Sequence, residues 1–92
     1  MKILTDKQVQ NMLHALGIEG YYRFNKRWKA KTIFNKCYRN SYVTYSECES
    51  WQDLVKKGFA SVFKQRQWDN SYHYMYGVTL KGAEQLKHEG HI

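Results

Sequence analysis

The chain has 92 residues, 42% of them hydrophobic and 16% aromatic, with 15 lysines and arginines against 8 aspartates and glutamates, a net charge of +7. That length holds a single domain, residues 1–92, whose core is too small to enclose a spacious active site, and the composition excludes wholesale disorder. Proline is absent, Cys37 and Cys48 are too few for a disulfide framework, and no apolar run approaches the ~20 residues that span a bilayer. The chain therefore reads as cytoplasmic, with reduced thiols, no membrane partner and no flexible docking tail.

In chain order, Thr5 and Gln8 make a capping-box start before Val9, Met12, Leu13 and Leu16, which recur at the spacing of one buried helix face. This predicts a helix over 6–16, ended by a left-handed Gly17 on which Ile18 folds back. The next stretch is ambiguous. Tyr22, Phe24, Trp28, Ala30 and Phe34 fall on even positions, as in a strand, whereas Ala30, Ile33, Phe34, Cys37 and Tyr38 match a helical stripe. We read a short strand near 21–24 and a helix over 28–39. Ser46 and Glu49 form a second capping box, opening a helix over 47–57 that buries Trp51, Leu54 and Val55 and stops at Gly58. The runs 60–67 and 71–78 alternate as strands around Trp68, Asp69 and Asn70, giving a β-hairpin over about 60–78. Thr79 caps a last helix over 80–87, in which Gly82 is a liability of about 1 kcal/mol relative to Ala. Residues 88–92 are a frayed tail.

The charge is the informative feature. Between Tyr22 and Arg39 lie seven lysines and arginines, five aromatics and no acidic residue; outside this segment eight basic residues face eight acidic ones. The whole excess sits in one block, and a localised block makes a field that attracts a polyanion. Arg23, Lys26, Arg27, Lys29, Lys31, Lys36 and Arg39 are the candidate phosphate contacts, with Trp28 among them as a candidate for stacking on a base. Lys64 and Arg66 on the hairpin, near Trp68 at its tip, extend the candidate surface. Tyr72, Tyr74 and Tyr76 alternate on one strand and read as half-core with hydroxyls toward solvent.

The order helix, short strand, helix, helix, hairpin, helix is that of a winged helix-turn-helix. The stretch from Leu54 to Leu86, "LVKKGFASVFKQRQWDNSYHYMYGVTLKGAEQL", resembles the second half of winged-helix regulators of the multiple-antibiotic-resistance type. The combination "HALG", "YRNSYV", "WQDLVKKGFA" and "YGVTLKGAEQL" is similar to small phage and prophage proteins. The first resemblance implies an α+β winged-helix domain whose pre-wing helix enters the major groove of DNA. Here that helix would carry Glu47, Glu49 and Asp53, which phosphates repel and which suit the helix dipole without any ligand. The basic segment and the wing are the better surfaces.

His14, His73, His88 and His91 form no cluster with carboxylates or cysteines at ligand spacing, and no catalytic arrangement or phosphate-cradling glycine loop is visible, so neither an enzyme nor a metal or cofactor is expected. The expected function is binding of a nucleic-acid backbone, DNA ahead of RNA, by a phage or prophage accessory or regulatory protein. The alternative is a protein-interaction module that sets the same basic and aromatic surface against an acidic protein, such as an inhibitor of a host or defence enzyme.

Overall fold

The computed structural model describes residues 3–18, 27–37, 39–69 and 72–92. Their elements run α1 (Asp6–Leu16), α2 (Ala30–Lys36), β1 (Tyr42–Thr44), α3 (Glu49–Lys56), β2 (Ala60–Arg66), β3 (Tyr72–Val78) and α4 (Leu80–His88). The chain is thus a small α+β fold, with four helices and one antiparallel sheet in the order β1-β3-β2 among the described residues.

α1 starts and stops where its sequence dictates. The Thr5 hydroxyl accepts from the Gln8 N–H at 3.1 Å, and the Gln8 side chain accepts from the Thr5 N–H at 3.0 Å. Gly17 ends the helix at φ 72, a left-handed conformation that costs a side-chain-bearing residue, and the Ile18 N–H closes back on the Leu13 carbonyl. Leu16, Met12, Trp51, Leu54, Tyr76 and Leu86 meet in the fully buried centre.

α2 is shorter than the expected 28–39. Lys29 and Cys37 on either side of it are both extended; Lys29 gives no side-chain cap, and at the other end the Cys37 thiol donates to the Phe34 carbonyl. The chain leaves the helix because the following residues are claimed by the sheet. The Asn40 side-chain amide acts as a strand residue would, accepting from the Val78 N–H at 2.7 Å and donating to the Val78 carbonyl at 2.8 Å. β1, which the sequence pattern did not reveal, then pairs with β3 through Tyr42↔Tyr76, Val43↔Met75 and Thr44↔Tyr74. The strand expected near 21–24 lies outside the described residues.

α3 begins two residues later than the Ser46–Glu49 pattern predicts. Its N-cap is Cys48, without a side-chain cap bond, because the Ser46 carbonyl is held in a turn by the Thr44 hydroxyl at 2.6 Å. The helix start is anchored instead on β3, where the Tyr76 hydroxyl accepts from the Gln52 amide at 2.9 Å. Trp51 and Leu54 are buried as expected, Val55 only partly.

β2 and β3 pair in an unbroken register from Ala60↔Val78 to Arg66↔Tyr72. At the base of this hairpin the Thr79 hydroxyl caps α4, accepting from the Gly82 N–H at 3.1 Å. Gly82 is no liability: a Cβ there would overlap the Phe59 carbonyl oxygen, so the close approach of α4 to the start of β2 requires glycine. The C-terminal residues are tied down. The buried Glu89 carboxylate accepts from the N–H groups of Ile3 and Leu4 and from the Gln85 amide, clasping the two ends of the chain together.

Candidate functional site

The fold presents the expected residues on two surfaces. The first is the basic segment around α2. At about 100° per residue, Ala30, Ile33, Phe34 and Cys37 gather on the inner side of α2, which packs on α4, and Lys31 and Lys36 emerge on the two flanks of its outer side. Arg27, Lys29, Lys31, Lys36 and Arg39 are all exposed. Arg23 and Lys26 fall outside the described residues.

Two of these residues have structural employment. Trp28 is half-buried, and the Lys36 ammonium sits 5.4 Å from its ring centroid, so one cation already occupies this aromatic ring. Arg39 reaches back to the end of α1, where its Nε and Nη2 donate to the His14 carbonyl at 3.1 and 2.6 Å. There the guanidinium neutralises the negative end of the helix dipole. A cleft of about 280 Å³ opens beside it, lined by His14, Arg39, Ser41, Tyr42 and Val43. The carbonyl end of α1 faces the Arg39 charge there, which argues against the cleft as an anion site.

The second surface is the outer half of the hairpin. Side chains of a strand alternate between faces, so Lys64 and Arg66 of β2 share a face with Tyr74 and Tyr72, their cross-strand partners. The Lys64 ammonium lies 4.3 Å from the Tyr72 ring centroid and 5.7 Å from that of Tyr74, a cation held between two aromatic faces. Trp68 stands at the tip, 96% exposed. Toward the body this face continues as stacked rings, Tyr74 on Tyr76 at 6.5 Å and Tyr76 on Trp51 at 5.3 Å. The tyrosine row is therefore core at one end and open at the other.

The opposite face of the sheet holds residues that sequence reasoning missed. Val43, Met75 and Phe63 form a row across the three strands, with Phe63 64% and Val43 50% exposed. Only the register shows this row, because Val43 comes from the unforeseen β1.

The carboxylates on and just before α3 divide. Glu47 and Glu49 are exposed, whereas Asp53 pairs with Lys57 at 2.9 Å and accepts from the Gln8 amide at 2.8 Å. The Lys57 and Gln8 hydrogen bonds hold the Asp53 carboxyl below its ordinary pKa. The Cys37 thiol donates to the Phe34 carbonyl, and burial pushes its pKa up. No group of three or more histidines, cysteines and carboxylates among the described residues could hold a metal ion, and no helix among them is long and apolar enough to cross a membrane. Comparisons with family models, with curated proteins and with solved structures returned no match.

Proposed function

We propose that the protein binds a nucleic-acid backbone through the basic segment and the outer half of the hairpin, as a phage or prophage accessory or regulatory protein. The supporting observation is the hairpin face on which Lys64 and Arg66 lie opposite Tyr74 and Tyr72, with Trp68 exposed at the tip. The Lys64 ammonium and the Arg66 guanidinium offer charge to phosphate, and the exposed Trp68 ring offers a base a face to stack on. The exposed cations of α2 and its flanks supply a second, purely electrostatic contact.

In this proposal the fold is a winged helix, with α3, the β2–β3 hairpin and α4 as helix, wing and closing helix. The pairing of β1 with β3 beside the hairpin supports it. The connection between α2 and α3 departs from a tight helix-turn-helix, since residues 37–48 carry β1 and α2 packs on α4. Glu47 and Glu49 also stand exposed at the start of α3. Both features direct the contact away from a recognition helix and toward the wing and the basic segment. The exposed Glu47 and Glu49, with the Val43–Met75–Phe63 row, favour the second reading, a module that binds a protein surface.

The test is a salt-titrated binding assay on duplex DNA, single-stranded DNA and RNA. Changing Arg23, Arg27, Lys29 and Lys31 together to Gln should weaken binding to all sequences. It should also flatten the dependence of log K on log salt for duplex DNA by about 3 to 4 units, at about 0.9 per lost phosphate contact. Unchanged slopes with folding intact would remove these charges from the interface. Loss of a protein partner by the same variant would promote the second reading.

A further inference from the structure

Among the described residues β2 is an edge strand, seven residues long, and its side chains from Ser61 to Arg66 are all exposed. It carries no proline and pairs with β3 without a bulge, two of the devices that blunt such edges. The direction of its backbone groups follows from the ladder. The Thr79 N–H donates to the Phe59 carbonyl at 3.0 Å, which makes 59 and 79 a hydrogen-bonded pair. Alternation then makes Ser61–Gly77, Phe63–Met75 and Gln65–His73 hydrogen-bonded pairs as well. The N–H and C=O of Val62 and Lys64 consequently point away from β3, toward the open edge. Val78 supports this phase independently. It stands opposite Ala60, and its own N–H and C=O point away from β2, where the Asn40 amide takes both.

We propose that the partner of this edge is a second copy of the chain, whose β2 pairs with it antiparallel about a two-fold axis at Phe63. A two-fold contact must be self-complementary, and this register is. Val62 of each copy exchanges backbone hydrogen bonds with Lys64 of the other, and each Arg66 falls opposite an Ala60. Both cations of the strand thus face apolar residues. Moving the axis to Lys64 would set two ammonium groups against each other, and moving it to Val62 would leave Arg66 beyond the end of the partner strand. At the axis the two Phe63 side chains become a non-hydrogen-bonded pair, the closer kind of cross-strand neighbour. The exposed rows then join into one apolar row of Val43, Met75 and Phe63 from both copies, across a six-stranded sheet. On the other face Lys64, Arg66, Tyr72 and Tyr74 of the two hairpins merge into one basic and aromatic surface. The inference stands whether or not the ligand of that surface is a nucleic acid.

Sedimentation equilibrium of the full chain, at moderate salt to screen the like net charges, tests it against two exposed-site variants, Phe63→Glu and Phe63→Lys. Circular dichroism of both variants should match the wild type, because position 63 is exposed. The wild type should pass from monomer to dimer mass as its concentration rises. Each variant alone should stay monomeric, and an equal mixture of the two should recover dimer, because only this register sets position 63 against itself. A wild type that stays monomeric up to its solubility limit overturns the proposal. So does a single variant that still dimerises, or a mixture that remains monomeric.

Discussion

The two ends of the β2–β3 hairpin follow one alternating pattern and meet opposite fates. At the body end Ala60, Tyr76 and Val78 are core, and Tyr76 is stacked on Trp51 with its hydroxyl accepting from Gln52. At the tip the same face carries Lys64, Arg66 and Tyr72 in solvent. Alternation fixes which side chains share a face, but burial depends on what lies beneath that face, and the helical body ends partway along the strands. The difference separates a half that stabilises from a half left in solvent.

The largest expected effect is at the body end. Tyr76→Ala should destabilise the fold by about 3–5 kcal/mol, as for other large aromatic core deletions, read by urea unfolding. Tyr72→Ala, four residues away on the same face, should stay within about 0.5 kcal/mol. Comparable losses at both sites would erase the distinction between the two halves. Next comes Gly82→Ala. Helix propensity alone would gain about 1 kcal/mol, but overlap with the Phe59 carbonyl should turn this into a net loss of about 1–3 kcal/mol. A stabilised variant would mean that the base of the hairpin yields easily.

The smallest effect concerns the Glu89 clasp. Burial pushes this carboxyl up, but hydrogen bonds from Gln85 and from the Ile3 and Leu4 N–H groups, with the His91 charge, bring it below its ordinary value of 4.5. A carboxyl depressed on folding contributes stability that is full above its unfolded pKa and is lost as pH falls through the lower folded value. Stability should therefore decline below about pH 4.5, and Glu89→Gln should flatten that part of the profile, measured by urea unfolding at stepped pH. An unchanged profile would show that Glu89 is equally at home in the unfolded chain.

Much of this fold was legible where local chemistry decides. The capping box at Thr5, the left-handed Gly17, the Thr79 cap and the two hairpin strands all follow from residues within a few positions of each other. What was not legible depends on distant partners. β1 is only three residues long and exists because β3 lies beside it, and α2 ends early because Asn40 bonds to Val78. The Ser46 cap failed because Thr44 held the Ser46 carbonyl in a turn, and Gly82 looked weak because Phe59 is remote in sequence. Of the candidate site, the charge block and the alternation of Lys64 and Arg66 were readable. That Lys64 lies between two tyrosines, and that Phe63 and Val43 share an open face, needed the register.

The central claim is that the outer half of the hairpin contacts phosphates. Its most direct test is the salt dependence of nucleic-acid binding by the Lys64→Gln, Arg66→Gln double variant beside the wild type. Neither side chain belongs to the buried core, so folding should be preserved. The account predicts weaker binding to all sequences and a slope of log K against log salt for duplex DNA flatter by about 2 units, one contact for each cation. A double variant that folds and binds with the wild-type affinity and slope would contradict it.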